Sequence, residues 1–365
     1  MAILLYCASG KRTAHKSYVN NIEGFIHCHE CSVELKMQSL VLTADGLQIA
    51  DTPIPPLMPG DVRIEVRSVG ICGTDLSIWK GDYEAPLPIV LGHEIAGAVH
   101  ESSVPDIVPG AIVTTEIDVS CGRCWYCRTG ARHHCLEKET LGITRDGGLS
   151  EYISVPADLV HPLPIGVDTV SGTFVEPLAS AIKTVSDCPA EIGEPVVIIG
   201  SGKIALLLAQ VYDASGADVY IAGRNRWQLG LARQLGLLNT LDVSIDNWKK
   251  KLIDITHGVG PRIVSEATGN TDGIGLALDL VRNGGTVNLK SMHGCDFTFD
   301  PSMIVSKELT IRGASSGPFE KAIEMLQMGR IEVKRLVSKS FRLEDGTKAF
   351  EYANQPAVTK VVINI

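Results

Sequence analysis

The chain has 365 residues, 45% of them apolar and 21% charged, and carries a net charge of -9 at neutral pH. That length implies two ordinary globular domains, or one with a large insertion, with core enough to fold without disulfide staples. No apolar run approaches the ~18 residues of a membrane span and no Lys/Arg block offers a nucleic-acid track, so small-molecule chemistry in the cytoplasm is the expected setting.

Residues 1–36 read as a leader of doubtful structure. The apolar stretch at Met1 is too short for a signal core and is followed, not preceded, by basic Lys11, Arg12 and Lys16. His27, Cys28, His29, Glu30 and Cys31 are metal-capable residue types, but no partner knuckle accompanies them. Met37 opens a first strand and is expected to be the genuine start.

From 37 to 188 the segments are short, β-branched and punctuated. Asp61-Val-Arg-Ile-Glu-Val-Arg67 alternates polar and apolar residues, and Pro59-Gly60 and Pro109-Gly110 mark turns, which predicts a barrel-like β domain. Just past two of its strand-like runs stand Cys72, in Cys72-Gly-Thr74-Asp75, and His93, in Gly92-His93-Glu94. A thiolate and an imidazole make a good zinc pair, and a carboxylate from Glu94 or Glu176 would complete three protein ligands with one position open. On spacing alone, a Cys and a His so far apart are more often structural. Cys121, Cys124, Cys127 and Cys135 follow, with gaps of two, two and seven residues. This is the layout of a closed tetrahedral zinc site, which shapes a loop and leaves no position for substrate. Paired disulfides or apolar thiols are the weaker reading in a chain with no secretory segment.

From 189 to 330 the pattern changes to strand-turn-helix units, the grammar of a doubly wound parallel sheet. Val196–Ile199 reads as a buried strand, 204–212 as a helix, Asp218–Ala222 as a strand and 227–235 as a helix. Strands near Ile263, Thr286 and Leu309 continue the series, and residues 331–365 end in a strand expected to return to the first domain. Gly200-Ser201-Gly202-Lys203-Ile204-Ala205 joins the first strand to its helix, where glycines admit a pyrophosphate to the helix N-terminus. At the end of the second strand, where an NAD site wants a carboxylate, the chain reads Arg224-Asn225-Arg226. Two guanidiniums there would grip a 2′-phosphate, which predicts NADP in preference to NAD; the competing reading makes them solvated helix-start residues. Thr268 and Gly269, with Met292, His293 and Gly294, are candidates for the nicotinamide side. Cys188 and Cys295 read as inert apolar thiols, and Phe174 and Trp79 as pocket wall or core.

Cys72-Gly-Thr74-Asp75, Gly92-His93-Glu94, the four-cysteine run, Gly147-Gly148-Leu-Ser-Glu-Tyr152, Val175-Glu176-Pro177 and Gly200-Ser201-Gly202 occur in one order. Over residues 38–365 that order resembles the zinc-containing medium-chain alcohol dehydrogenases, most closely their sorbitol, polyol and threonine dehydrogenase branch. The resemblance implies a GroES-like catalytic domain and a Rossmann cofactor domain with the active site between them. It also implies two zinc ions per chain, catalytic and structural, and a homodimer or homotetramer. By the same resemblance Cys72 and His93 are catalytic zinc ligands, Glu94 sits beside or on the metal, and Thr74 relays the hydroxyl proton. Glu176 stands where liver-type enzymes have a ligand cysteine. The chain departs from the family at Lys203-Ile204-Ala205 in the glycine turn and in lacking the acidic residue of NAD users.

The implied reaction is hydride transfer between a secondary alcohol or polyol and the nicotinamide. Polar groups between Asp75 and Pro88 favour polyols, sugars or short diols over ethanol. An L-threonine 3-dehydrogenase or a sugar dehydrogenase is the alternative substrate reading. A non-catalytic dinucleotide-binding relative is the alternative of another class, disfavoured because every zinc ligand is retained.

Overall fold

The computed structural model describes residues 35–245, 247–292 and 296–365. The leader to residue 34 and its His27–Cys31 cluster, like His293, Gly294 and Cys295, lie outside the described residues.

The N-terminal half is β-rich, as the alternation predicts. Along Asp61–Gly70, Val62, Ile64 and Val66 are buried while Arg67 on the opposite face is exposed. This strand lies inside a seven-stranded sheet, paired antiparallel with Glu94–Ser102 and Tyr152–Pro156. Lys360–Asn364 pairs antiparallel with the far end of the same strand, Val362 opposite Gly70. Lys36–Thr43 forms a smaller sheet with Gly46–Pro53 and Ile89–Val90, its Met37 buried.

The second half is a six-stranded parallel sheet. Its strands are β1 Pro195–Ile199, β2 Asp218–Gly223, β3 Asn239–Asp242, β4 Ile263–Glu266, β5 Thr286–Leu289 and β6 Thr310–Gly313. They lie in the order β3-β2-β1-β4-β5-β6, the doubly wound arrangement that opens a ligand crevice at the carboxyl ends of its strands. Val196 to Ile199 are buried on both faces, which is why β1 is a continuous apolar run. The expected elements are each present, with boundaries moved by one or two residues.

Four helices position the site: α1 Gly73–Lys80, α2 Val175–Asp187, α3 Lys203–Ala214 and α4 Arg226–Gln234. Leu178, Ala181 and Val185 of α2 share one apolar core with Leu206 to Ala209 of α3 and Val196 and Ile198 of β1. Cys188 is buried just past α2, and its carbonyl accepts the Tyr212 hydroxyl at 3.0 Å, as an inert structural position would. Phe174 is fully buried, and Trp79 packs edge-on against Phe350 at 5.8 Å, so Trp79 serves the core. One expectation is corrected. The polar stretch after Thr74 begins as the helix α1, and its Asp75 is fully buried and bonded within the protein, so it cannot face a substrate.

Candidate active site

Cys72 is the N-cap of α1, and the Asp75 carboxylate reaches back to accept its N–H at 2.7 Å. The same carboxylate accepts the Gly92 N–H at 3.2 Å and lies 3.2 Å from His93 Nδ1. One buried acid thus ties the Cys72 and His93 loops together and stands at ion-pair distance from Nδ1, on the side of the ring away from Nε2. Burial works against an ionised Cys72, but Lys203 and His93 outweigh it and bring the thiol down to about 5. Burial also works against a charged His93, and Asp75 and Cys72 reverse it, holding the imidazole well above its usual range. A thiolate drawn to an imidazole that a carboxylate orients is the donor chemistry zinc selects, so these residues fit the metal. Thr74 is buried in the first turn of α1, its hydroxyl 3.9 Å from the Cys72 sulfur.

The two candidate carboxylates differ. Glu94 is fully buried, paired through Oε2 with Lys360 and 3.3 Å through Oε1 from Lys203 Nζ. Lys203 also donates to the Ile71 carbonyl at 2.8 Å, bridging the glycine turn and the residue before Cys72. Glu176, in the first turn of α2, has no ion-pair partner among the described residues, and burial pushes it up to about 7. It lines a cavity of about 350 Å³ together with Asp118, Arg132, His133, Lys183 and Ser316.

The lobe cysteines assemble more tightly than these groups. All four sulfurs lie within 4.8 Å of one another, with Cys124 and Cys127 at 3.5 Å and Cys121 and Cys127 at 4.0 Å. Zinc–sulfur bonds of about 2.3 Å in a tetrahedron place sulfurs about 3.8 Å apart, so this set also fits its metal.

At the sheet, Gly200 holds φ at +117°, and a Cβ there would lie 2.3 Å from the Ala267 carbonyl oxygen, so only glycine makes this turn from β1. Gly202 caps α3, with Lys203 and Ile204 opening the helix. Gly223 closes β2, and a Cβ there would lie 2.6 Å from Ser201 Oγ. Ser201 in turn donates to Gln228 at 2.9 Å. Asn225 spends its side-chain oxygen on capping α4, accepting the Trp227 and Gln228 N–H groups. Arg224 is exposed, and Arg226 bonds Asp242 through Nε at 2.9 Å. Thr268 donates to Glu266 at 2.6 Å, and Gly269 N–H to Ser291 at 2.7 Å, so both hold the loop after β4. Met292 is 62% exposed.

Sequence reasoning missed Asp75 as an organiser, Lys360 as the partner of Glu94, and Lys290. The first carried a signal: an acid three residues after an N-cap makes a reciprocal cap. The second carried another, since a lysine in an apolar strand demands a buried anion.

Two family models match in chain order, the alcohol dehydrogenase GroES-like domain over residues 58–165 and the zinc-binding dehydrogenase over 203–329. Sorbitol dehydrogenase of Halalkalibacterium halodurans is 30% identical, over 90% of this chain and 99% of its own. L-threonine 3-dehydrogenase of Bacillus licheniformis is 32% identical, over 87% of this chain and 95% of its own. A zinc-binding dehydrogenase from Sinorhizobium meliloti, solved bound to NADP, superposes with a TM-score of 0.84 at 30% identity, covering 91% of this chain and 100% of that one. With a cysteine–histidine centre facing a doubly wound sheet, the chain belongs to the zinc-containing medium-chain alcohol dehydrogenases and is a zinc-dependent enzyme exchanging hydride between an alcohol and a nicotinamide dinucleotide.

Proposed function

We propose that the enzyme oxidises secondary hydroxyls of neutral polyols or short diols, with NADP preferred over NAD. The observation that carries the substrate reading is the cavity that Glu176 lines. The His133 ring shares its wall, and an apolar alcohol would leave it and Glu176 without partners, whereas Asp118 and Ser316 already bond each other. Arg132 and Lys183 are neutralised by Asp158 and Asp187, so the cavity has no free cation to favour an anionic substrate. L-threonine is the second reading, favoured by the threonine dehydrogenase at 32% identity. A panel of sorbitol, xylitol, 2,3-butanediol, glucose, threonine and ethanol with both cofactors tests this; highest catalytic efficiency with ethanol would overturn it.

Cys72, His93 and Glu176 are the proposed holders of the catalytic zinc, and Cys121, Cys124, Cys127 and Cys135 of a structural one. The unpaired state of Glu176 supports its choice over Glu94, whose two oxygens are occupied by Lys203 and Lys360. When bound, zinc supplies a Lewis acid that acidifies the alcohol, and the nicotinamide accepts the hydride. Asp75 faces the His93 ring at Nδ1, and Thr74 Oγ takes and passes on the hydroxyl proton, since a hydroxyl both donates and accepts. The glycine turn and the α3 N-terminus receive the pyrophosphate.

For the cofactor, Ser201 fills the space beside Gly223 where a ribose-binding acid would stand, and exposed Arg224 is the proposed grip on the 2′-phosphate, with Arg226 behind it. A homodimer or homotetramer is proposed on the exposed edge of β6, whose residues 310–313 all face solvent. No described helix is long and apolar enough to cross a membrane, and cytoplasmic residence is proposed with the reaction.

A further inference from the structure

Lys290 follows β5 directly, its N–H bonded to the Glu266 carbonyl at 2.9 Å. Its side chain crosses to α2, where Nζ lies 2.7 Å from Ser180 Oγ and 3.3 Å from Ser180 O, and it donates to the Ala314 carbonyl at 2.6 Å. The three N–H groups of an ammonium therefore meet three neutral oxygens, which hold the charge in place without cancelling it. The anion whose field reaches Lys290 is Glu176, one turn before Ser180 on the same helix. Burial lowers the amine to about 8, which leaves it mainly protonated at neutral pH. If Glu176 spends its charge on zinc, as the preceding reading has it, the ammonium stands uncompensated in the cleft.

A dinucleotide held at the Gly200–Gly202 turn would lie along the carboxyl ends of the strands, the end of the sheet from which Lys290 projects past β5. Lys290 and Ala314 each stand one residue past their strands, β5 and β6. The charge of the nicotinamide ring falls from plus one to zero as it takes up hydride. The two electrons and one proton of that hydride leave the carbinol carbon, and the hydroxyl proton departs separately.

We infer that Lys290 sets the redox poise of the bound cofactor: its ammonium disfavours the cationic oxidised ring relative to the neutral reduced one, making the bound oxidised cofactor a stronger hydride acceptor. The inference rests on the hydride-transfer reading and concerns a side chain outside the metal set.

The test is the ratio of dissociation constants for NADP⁺ and NADPH, measured by titration calorimetry on zinc-loaded protein at pH 7. The two ligands share every phosphate, so the ratio isolates the ring charge. In Lys290→Met the ratio Kd(NADP⁺)/Kd(NADPH) should fall on the order of tenfold, because only the cationic ring of NADP⁺ is relieved of the ammonium, as expected for a charge across a partly buried cleft. Lys290→Arg should keep the wild-type ratio, and Lys290→Gln carries the same reading if the methionine variant does not fold. Equal changes in both constants would mark a purely structural strut and overturn the inference, as would an arginine variant behaving like methionine. Failure of the wild type to bind either form would instead overturn the hydride-transfer reading.

Discussion

The two proposed zinc sites are built by opposite means. The lobe takes all its ligands from one run between Cys121 and Cys135, most of them only partly buried, and needs little beyond a turn and a short helix to bring the sulfurs together. The second centre collects Cys72, His93 and Glu176 from segments up to about a hundred residues apart, and its charges are balanced by buried side chains drawn from both domains. A local site can be closed by its own sequence. A dispersed one exists only when the whole fold is in place, and in the proposed reading it carries the chemistry while the first shapes the loop.

Disabling each site separately should expose that contrast. Cys72→Ser or His93→Ala should lower turnover by at least three orders of magnitude while NADP(H) binding stays near wild type. A loss of dinucleotide binding as large as the loss of turnover would show the centre to be structural too. Cys124→Ser should act the other way, removing about one zinc per chain and lowering soluble yield and melting temperature first. Elemental analysis beside calorimetry separates these outcomes. Normal melting in a lobe variant that has lost its metal would break the comparison.

The carboxylates sharpen it further. Glu176→Gln should cost metal affinity at the proposed catalytic centre more than the ~10–100-fold lost with an outer-shell partner, whereas Glu94→Gln should chiefly lower the melting temperature, because it leaves Lys203 and Lys360 buried without their anion. Competition with a chromophoric chelator reads the first effect; a larger metal loss from Glu94→Gln would reverse the assignment. In chelator-stripped protein the raised Glu176 gives a pH signature. The native state keeps a proton that the unfolded chain releases, so its contribution to stability is lost as pH rises from about 4.5 through about 7. Melting curves of Glu176→Gln should lack that decline, and an unchanged pH profile would place the carboxylate in a wetter setting. The smallest effect is expected at the cofactor: Arg224→Ala should weaken NADP use about tenfold and leave NAD use unchanged, and Arg226→Ala should do less, because Asp242 already engages Arg226.

What could be read in the sequence follows the same division. The Cys121–Cys135 spacing, the glycine turn after an apolar strand and the alternation along Asp61–Gly70 are local patterns, and each led to the element or cluster observed. Cys72 and His93 needed the resemblance, since nothing in their separation says that Asp75 will bond both loops. The polar residues after Thr74 read as a loop, whereas residues to Lys80 form α1 and Asp75 is consumed in capping it beside His93. The partners of Lys203, Lys290 and Lys360 could not be read from the sequence. Ile71, Ser180 and Glu94 are distant in the chain, and only the folded cleft explains a buried ammonium.

The pairing of Lys360–Asn364 with Asp61–Gly70 has a consequence for biogenesis. Val362 and Gly70 are neighbours in the sheet, yet nearly the whole cofactor domain is translated between them. At the roughly 5–20 residues per second of synthesis, that interval is about 15–60 s, during which the earlier strand stands with an open edge and Glu94 lacks its Lys360 partner. The parallel sheet can be complete before the catalytic sheet closes. A ribosome-bound chain halted short of Lys360 should thus hold a folded dinucleotide domain beside an unfinished metal centre, a window in which chaperones, rather than zinc, would guard the exposed strand.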